Sequence, residues 1–309
     1  MKLALAGDTM LGRCVGERLS HDPTHALFAP ELVDVIGEAD LFVLNLECCI
    51  SARGKPTPGR VFHFRAPPWA AETLARLGVD CVTLANNHVL DFGPDALLDT
   101  LAHLDAAGIR VVGAGTDVGL ARAPVVLEAD GFELAVVAFA DHPVEYAATA
   151  DRPGIAYADA RRGLPDWVTT FPEADVVLVT PHWGPNMTAE PRAYVREAAD
   201  ALLEARVTLV AGHSAHVFHG ISPRLLYDLG DFLDDYAVDR RLRNDLGLLY
   251  LVDLAGDRLE AIPLKLEFAH TRLATDDDAS WIKRRFTKAC AAFGTEVIAA
   301  NGRLLARWR

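Results

Sequence analysis

Short apolar runs rich in Val, Leu and Ala recur between residues 3 and 211, and helix-like segments separate several of them. Strands that alternate with helices along a chain are typical of an α/β fold. The pattern therefore predicts α/β order for most of the chain. The runs occupy residues 3–6, 41–46, 81–85, 134–140, 176–180 and 207–211.

Four segments with apolar residues at helical spacing accompany these runs, and each of them begins at a proline. Proline suits the first turn of a helix because no backbone donor is needed there. The four predicted helices occupy residues 30–38, 68–77, 94–107 and 191–205. After Gly220 the pattern changes to predicted strands at residues 225–229, 248–252 and 262–267, followed by a helix at 281–292.

The chain has no internal repeat and no Gly/Ser linker, and the acidic stretch at residues 275–278 has the composition of a turn. With 309 residues, of which 51% are hydrophobic, the chain can build a large buried core. We expect residues 1–240 to form the core and residues 241–309 to complete the same domain with strands and a helix.

The net charge of −13 argues against a nucleic-acid partner, since phosphate backbones call for clustered Lys and Arg. An anionic small substrate stays open, because a bound multivalent cation reverses the field in its pocket. The five cysteines contain no C-x-x-C pair, which indicates reduced thiols. No apolar run approaches the ~20 residues that cross a bilayer, and Asp8 interrupts the first run before signal-peptide length. We expect a cytoplasmic protein without a membrane segment.

Polar side chains able to bind a metal follow five of the predicted strands. The carboxyl ends of strands in an α/β sheet meet at one edge, where ligands gather. Carboxylate, amide oxygen and imidazole together suit a hard or borderline divalent ion, and the absence of thiolate argues against structural zinc. The sequence predicts a shared site for one or two ions, with Mn, Fe, Zn or Co as candidates. The residues are Asp8, Glu47, Asn87, His88, His182, His213 and His216.

Most of these residues also have a structural interpretation. Asp8 could cap the turn that follows it, and Asn86 with Asn87 could form a left-handed turn. His182, taken alone, could be a satisfied core histidine. The shared site is favoured because five strand ends carry ligand chemistry, and because Glu47 ends an apolar run in which a carboxylate needs a partner.

The segments around these residues resemble the ordered motifs of the CapA family, named for capsule and poly-γ-glutamate synthesis and grouped with the calcineurin-like metallophosphoesterases. The resemblance covers residues 1 to about 240. It implies a four-layer αββα sandwich of the metallophosphoesterase type, with two β-sheets face to face, helices outside and a metal site at one edge. The motifs are Gly-Asp-Thr-Met-Leu-Gly-Arg at 7–13, Asn-Leu-Glu at 45–47, Ala-Asn-Asn-His-Val-Leu-Asp-Phe-Gly at 85–93, His-Trp-Gly at 182–184, Gly-His-Ser-Ala-His at 212–216 and Tyr-Asp-Leu-Gly-Asp-Phe at 227–232.

The resemblance implies roles for the carboxylates and for the histidines of the last motif. Asp8 matches the first-motif carboxylate on metal one, and Glu47 matches the carboxylate that bridges both metals. His213 and His216 match the paired histidines of the last motif. The superfamily usually has histidine two residues after the first-motif aspartate, and here Met10 stands in that position. A thioether is too soft for such an ion, so we expect metal one to bind weakly.

The second metal position and the proton donor follow from the same resemblance. Asn87 and His182 match ligands of metal two. His88 matches the histidine that assists the leaving group, and Asp91 is placed to orient it. Arg65 is a candidate for binding a substrate anion, with a plain surface charge as the alternative.

Other polar residues show no partner in the sequence. Ser214 lies in a segment similar to the nucleophile elbow of serine hydrolases, but His216 replaces the glycine that this turn needs, so Ser214 is a poor candidate nucleophile. Five histidines are assigned to the surface or to support of the site. They are His21, His25, His103, His142 and His270.

Together these features predict a metal-dependent hydrolase in which activated water attacks a phosphoester or a γ-glutamyl amide, and His88 protonates the leaving atom. Its expected partner is a small anionic or polyglutamate-like substrate. The alternative is a non-catalytic protein that retains the metal in order to bind an acidic polymer, and Met10 is its best support.

Overall fold

The computed structural model describes residues 1–21 and 27–309, without the side chains of Ser20 and His21. His25 therefore lies outside the described residues. Seven α-helices lie in the described part of the chain, together with three short 3-10 turns. The helices are α1 (Arg13–His21), α2 (Pro30–Ile36), α3 (Ala70–Arg76), α4 (Pro94–Ala106), α5 (Val118–Arg122), α6 (Ala193–Glu204) and α7 (Asp276–Ala291).

Most of the strands belong to two sheets, of ten and six strands. The larger sheet contains β1 (Lys2–Thr9), β2 (Leu41–Leu46), β5 (Cys81–Thr83), β6 (Arg110–Val112), β15 (Asp231–Leu233), β16 (Leu246–Asp253), β17 (Arg258–Glu267), β18 (His270–Leu273), β19 (Ile298–Ala300) and β20 (Arg303–Arg307). The smaller sheet contains β8 (Val125–Ala129), β9 (Phe132–Ala140), β11 (Val176–His182), β12 (Leu209–Ala211), β13 (Ile221–Ser222) and β14 (Leu225–Leu226). Two short pairs complete the set, β3 (Cys49–Ile50) with β4 (Arg65–Ala66) and β7 (Ala114–Gly115) with β10 (Gly154–Ile155).

The larger sheet is mixed, with β1 near its centre. β1 pairs in parallel with β2 and β15 and antiparallel with β16, and β2, β5 and β6 continue in parallel. β16 and β17 form a long antiparallel pair, and β17 also pairs antiparallel with β18 and β20. The strands after residue 241 are thus built into the same sheet as the first strand of the chain.

The smaller sheet is buried on both faces. Along β9, Val136 and Ala138 belong to the core shared with the larger sheet, whereas Val137 and Phe139 pack into a second core with α6. Successive side chains of a strand point to opposite faces, so this sheet lies between the larger sheet and α6.

Helices also pack against the larger sheet, since α2 contacts β18 and α4 contacts β6. α2, α3 and α4 add Leu32, Leu74 and Leu97 to the main core. The predicted order of helix, sheet, sheet and helix is confirmed. Among the described residues, none of the helices combines the length and apolar character that crossing a membrane requires.

The helix boundaries differ from the prediction where proline was used as the start. Proline occupies the first turn of α2 and α4, as predicted. α3 and α6 begin two residues later than predicted, because the intervening Trp69 and Arg192 take the cap position. α7 begins at Asp276, so the acidic stretch is its first turn rather than a separate turn. Carboxylates are favourable there because they face the positive end of the helix dipole.

Candidate metal centre

Strand ends of both sheets meet at one place in the structure. β1 brings Asp8, and Glu47 directly follows β2, where its backbone N–H donates to the Thr9 carbonyl at 2.9 Å. His182 ends β11. His213 follows β12, the neighbouring strand of the smaller sheet, and forms a parallel bridge with His182. Each sheet therefore contributes part of the site.

The predicted ligands come together as a buried group that we name the central cluster: Asp8, Glu47, His182, His213 and His216. Asp8 lies 3.4 Å from His213 Nδ1 and 3.3 Å from His216 Nδ1. Glu47 Oε1 lies 3.6 Å from His182 Nε2. Asp8, Glu47 and His216 each offer one ligand atom within 4.8 Å of the others. This spacing allows one ion to contact all three side chains.

Several buried polar atoms around the central cluster have no hydrogen-bond partner among the described residues. Leaving a buried polar atom unpaired costs about 1–3 kcal/mol, so such atoms are rare unless a ligand satisfies them. All of them are of ligand type, and the donor set of carboxylate, amide and imidazole fits a divalent ion. The atoms are Glu47 Oε1 and Oε2, Asn87 Oδ1, His182 Nε2, His213 Nδ1 and Asp231 Oδ2.

Asp8 is held in position by its neighbours. Asn45 Nδ2 donates to Asp8 Oδ1 at 2.7 Å, and the Asp8 backbone N–H donates to the Gly230 carbonyl at 2.9 Å. A Cβ on Gly7 would lie 1.8 Å from the oxygen of that carbonyl, so only glycine fits where β1 approaches this turn. The capping interpretation of Asp8 does not describe these contacts.

The charged groups of the central cluster shift one another's pKa values. Burial raises the pKa of Glu47, and the nearby Asp8 charge raises it further. Burial opposes ionisation of Asp8 as well, but His213 and His216 outweigh it and hold the pKa of Asp8 well below its usual range. Burial would lower the pKa of His216, yet Asp231 and Glu47 raise it well above its usual value. Burial lowers the pKa of His182, which keeps its imidazole neutral. A neutral imidazole is the form that binds a metal.

His88 and Asp91 form a pair beside the central cluster. His88 Nδ1 donates to Asp91 Oδ2 at 2.6 Å, and the Phe64 backbone N–H donates to the same oxygen at 2.8 Å. The other oxygen, Oδ1, accepts from the Tyr146 hydroxyl at 3.3 Å and lies 3.4 Å from Arg60 Nη1. Burial lowers the pKa of His88, against the opposing effect of Asp91. The pair fixes the His88 ring and its tautomer.

The two asparagines before His88 have different surroundings. Asn86 makes the turn: its Oδ1 accepts from the His88 and Val89 backbone N–H groups at 3.0 and 3.1 Å, and its Nδ2 donates to Asn45. Asn86 therefore stabilises the turn through its side chain, but neither Asn86 nor Asn87 has a positive φ, so the left-handed turn interpretation is wrong. The side-chain oxygen of Asn87 has no such partner in the described chain.

Side chains outside the predicted ligand set also contact the site. Asp231 Oδ1 accepts from His216 Nδ1 at 2.8 Å, and Asp231 pairs with Asp8 across β1 and β15. His142, which was assigned to the surface or to support of the site, hydrogen-bonds to Asp141, and its ring centre lies 5.4 Å from that of His182. The Asp-His pair at residues 141–142, directly after an apolar run, could have indicated this arrangement.

Three residues singled out in the sequence lie outside the central cluster. The Arg65 guanidinium stacks on Phe92 at 4.2 Å and donates to the Arg53 carbonyl, and its anion-binding role stays a prediction. Met10 is buried in the main core, where its sulfur accepts from the Gly12 backbone N–H. The Ser214 hydroxyl donates to the Gly184 carbonyl at 3.0 Å.

The fold is that of the metallophosphoesterase type. Its likeness to the crystal structure of a novel phosphatase from Mycoplasma pneumoniae has a TM-score of 0.50 at 14% identity, and covers 86% of this chain and 93% of the other. At this identity the likeness concerns the fold alone.

The chain belongs to the family described as bacterial capsule synthesis protein PGA_cap, whose model matches residues 2–236. A probable polyglutamine synthesis accessory protein of Mycobacterium tuberculosis is 30% identical, covering 97% of this chain and 94% of the relative. The PGA biosynthesis protein CapA of Bacillus subtilis is 25% identical over 87% and 72% of the two chains, and the capsule biosynthesis protein CapA of Bacillus anthracis is 25% identical over 93% and 73%. The resemblance to the CapA family is confirmed.

Proposed function

We propose that this protein is a metal-dependent hydrolase whose site is built on the central cluster. The observation that carries the proposal is the group of buried, unpartnered ligand atoms on Glu47, Asn87, His182, His213 and Asp231. An ion bound among them would satisfy atoms that otherwise lower the stability of the fold. No comparably placed acidic and histidine group is found elsewhere in the described chain.

The assignment of ligands follows the contacts. Asp8, Glu47 and His216 would hold one ion, since their ligand atoms lie within 4.8 Å of one another. His182 and Asn87 would hold the second ion, with Glu47 shared between the two positions, and His213 would join the first position, since its Nδ1 lies 3.4 Å from Asp8. Asp231 supports the first position by orienting His216, where Met10 leaves no imidazole. Divalent ions bound by these groups supply Lewis acidity and activate water at neutral pH.

The chain's own residues would manage the proton of the leaving atom. His88 Nδ1 is committed to Asp91, so His88 would act as the acid in its doubly protonated form, in which Nε2 also carries a proton that it can deliver to the leaving atom. Tyr146 and Arg60 hold Oδ1 of Asp91 and thereby keep the His88 ring in one orientation. A positioned acid of this kind contributes roughly a hundredfold to ten-thousandfold in rate.

The substrate that we favour is the γ-glutamyl amide bond of a polyglutamate chain. Membership of the PGA_cap family and the names of the relatives support it. The second candidate substrate is a phosphoester, which the likeness of the fold to a phosphatase supports. Both reactions use activated water and an acid for the leaving atom, so the same residues serve either one.

Hydrolysis assays with two substrates test the proposal. Metal-loaded protein is incubated with poly-γ-glutamate and, separately, with a generic aryl phosphodiester. We expect release of new amino groups from the polymer, and loss of this activity in Glu47→Gln. Activity on the diester alone would replace the favoured substrate by the second candidate. Full metal occupancy without turnover of either substrate would contradict the hydrolase and support a non-catalytic polymer-binding protein, which the Met10 substitution favours.

A further inference from the structure

A groove outside the central cluster concentrates positive charge. It has a volume of about 520 Å³ and lies between α7 and the segments around residues 189–196 and 220. Four cationic side chains and one carboxylate line it, together with Trp281 and Phe293. The charged residues are Arg196, Arg284, Arg285, Lys288 and Glu190. We name it the basic groove.

The cations of the basic groove are not neutralised by the protein. None of the four lies within 4.0 Å of a carboxylate of the described residues, and Arg196, Arg284 and Lys288 are exposed. Elsewhere on α7 a charged side chain does have a partner, because Asp278 in its first turn pairs with Arg243 at 2.8 Å. In a chain of net charge −13, an unpaired positive surface is where an anion gains most from binding.

Aromatic rings fix one of the four cations. The Arg285 guanidinium lies 5.4 Å from the Trp281 ring centre and 5.1 Å from that of Phe218, and Nη1 donates to the Leu242 carbonyl at 3.2 Å. A guanidinium held in this way is preorganised, so less conformational entropy is lost when it binds a carboxylate.

The basic groove adjoins the segments that carry the metal centre. The segment after His182 runs to Ala189 and Pro191 in the groove wall, and the segment after His216 runs to Gly220. These segments hold each other, because Met187 N–H donates to the Ala215 carbonyl and His219 Nε2 donates to the Thr188 carbonyl, both at 2.9 Å. A Cβ on Gly220 would lie 2.3 Å from the Ala289 carbonyl oxygen, so this backbone packs directly on α7.

We propose that the basic groove binds a polycarboxylate chain and presents it to the metal centre. A polyglutamate strand carries one carboxylate per residue, which matches a surface of several unpaired cations, and its methylene groups can pack on Trp281 and Phe293. The choice of polyglutamate as the polymer rests on the proposed function. Because the chain as a whole carries a net charge of −13, an acidic polymer gains most from a surface on which several cations are unpaired.

Binding of a short fluorescein-labelled poly-γ-glutamate, followed by anisotropy, tests the inference. The test variant is Lys288→Glu, and the matched control is Lys283→Glu, an exposed position on α7 outside the groove with the same charge change. We expect Lys288→Glu to weaken binding about tenfold or more, because a like charge then faces the polymer, and Lys283→Glu to change it less than about twofold. Thermal unfolding of both variants checks their folding. Added salt should weaken binding by the parent protein.

A second readout locates the polymer. Polymer binding should change the tryptophan fluorescence of the parent protein, and Trp281→Phe should remove most of that change. Equal effects of Lys288→Glu and Lys283→Glu, or absence of binding by the parent at low salt, would overturn the inference. The anisotropy experiment measures binding and needs no turnover, so a failed hydrolase proposal and a failed groove proposal give different results.

Discussion

Buried carboxylates of this protein have different surroundings, and the difference separates structural from functional residues. Asp228 accepts from the Ala215 and Gly230 backbone N–H groups at 2.7 and 2.9 Å, so both of its oxygens are satisfied. Neither oxygen of Glu47 has a hydrogen-bond partner in the described chain. A buried acid that is left unpaired calls for a ligand, whereas one that accepts two backbone hydrogen bonds holds a turn.

Substitution of single site residues should separate metal binding from proton transfer. Glu47→Ala and His182→Ala remove ligand atoms, so we expect both variants to lose bound metal and turnover together. His88→Ala should keep the metal and lose roughly a hundredfold to ten-thousandfold in kcat, because only the leaving-group proton is affected. Metal content by atomic emission and kcat are measured on the same samples. Parental turnover by His88→Ala would show that His88 is not the acid.

His219 gives the protein a pH dependence of stability that is independent of the metal ligands. Burial lowers the pKa of His219 from 6.5 to about 4 in the fold. The unfolded chain therefore binds a proton at a higher pH than the native protein does. Stability is lost as the pH falls from 6.5 toward 4, on the order of 3 kcal/mol from this group.

The variant His219→Gln isolates this contribution. Its amide can still donate to the Thr188 carbonyl but does not titrate. We expect the loss of unfolding free energy between pH 7 and pH 4.5 to be smaller in the variant than in the parent, as measured by urea unfolding. The same loss in both proteins would contradict the role of His219.

At the scale of elements, the close approach of β1 to the turn before β15 positions Asp8 beside Asp231. Gly7→Ala would place a Cβ 1.8 Å from the Gly230 carbonyl oxygen and force these elements apart. We expect a loss of about 3 kcal/mol or more in unfolding free energy, together with weaker metal binding. Gly37→Ala is the matched control, since its Cβ would meet nothing closer than 3.4 Å. Equal stability of the two variants would refute this view of β1.

The sequence predicted where individual strands and helices lie along the chain better than it predicted which strands pair with each other. Apolar runs located β1, β2, β9 and β11, because such runs depend only on burial along the strand. The pairing of β1 with β15 and β16 joins residues more than two hundred positions apart, which no local pattern reports. α1 was missed, since its apolar face is short and Gly16 interrupts it.

The same distinction applies to the candidate site. Strand-end residues such as Asp8, Glu47 and His182 could be found from the sequence, because each follows an apolar run. The contact of Asp231 with His216 could not be located from the sequence, since it depends on how β15 lies beside β1. Segments that combine glycine, aspartate and histidine are common, so the sequence alone does not show which of these side chains contact each other.

At the scale of the whole molecule, the proposed metal centre depends on the packing of two sheets. Asp8 and Glu47 come from the larger sheet and His182 and His213 from the smaller one, so an ion among them would join the two layers. Binding energy for the ion is then stabilisation of the native arrangement, about 4 kcal/mol when free metal exceeds its dissociation constant a thousandfold.

The most direct test of this account is thermal unfolding of the parent protein and Glu47→Gln, each metal-loaded and chelator-treated, with bound metal counted per chain. We predict at least one bound ion in the parent and a melting temperature that falls by several degrees when the ion is removed. Glu47→Gln should bind less metal and respond less to chelation. A parent that binds no ion and melts at the same temperature with and without the chelator would contradict the metal centre.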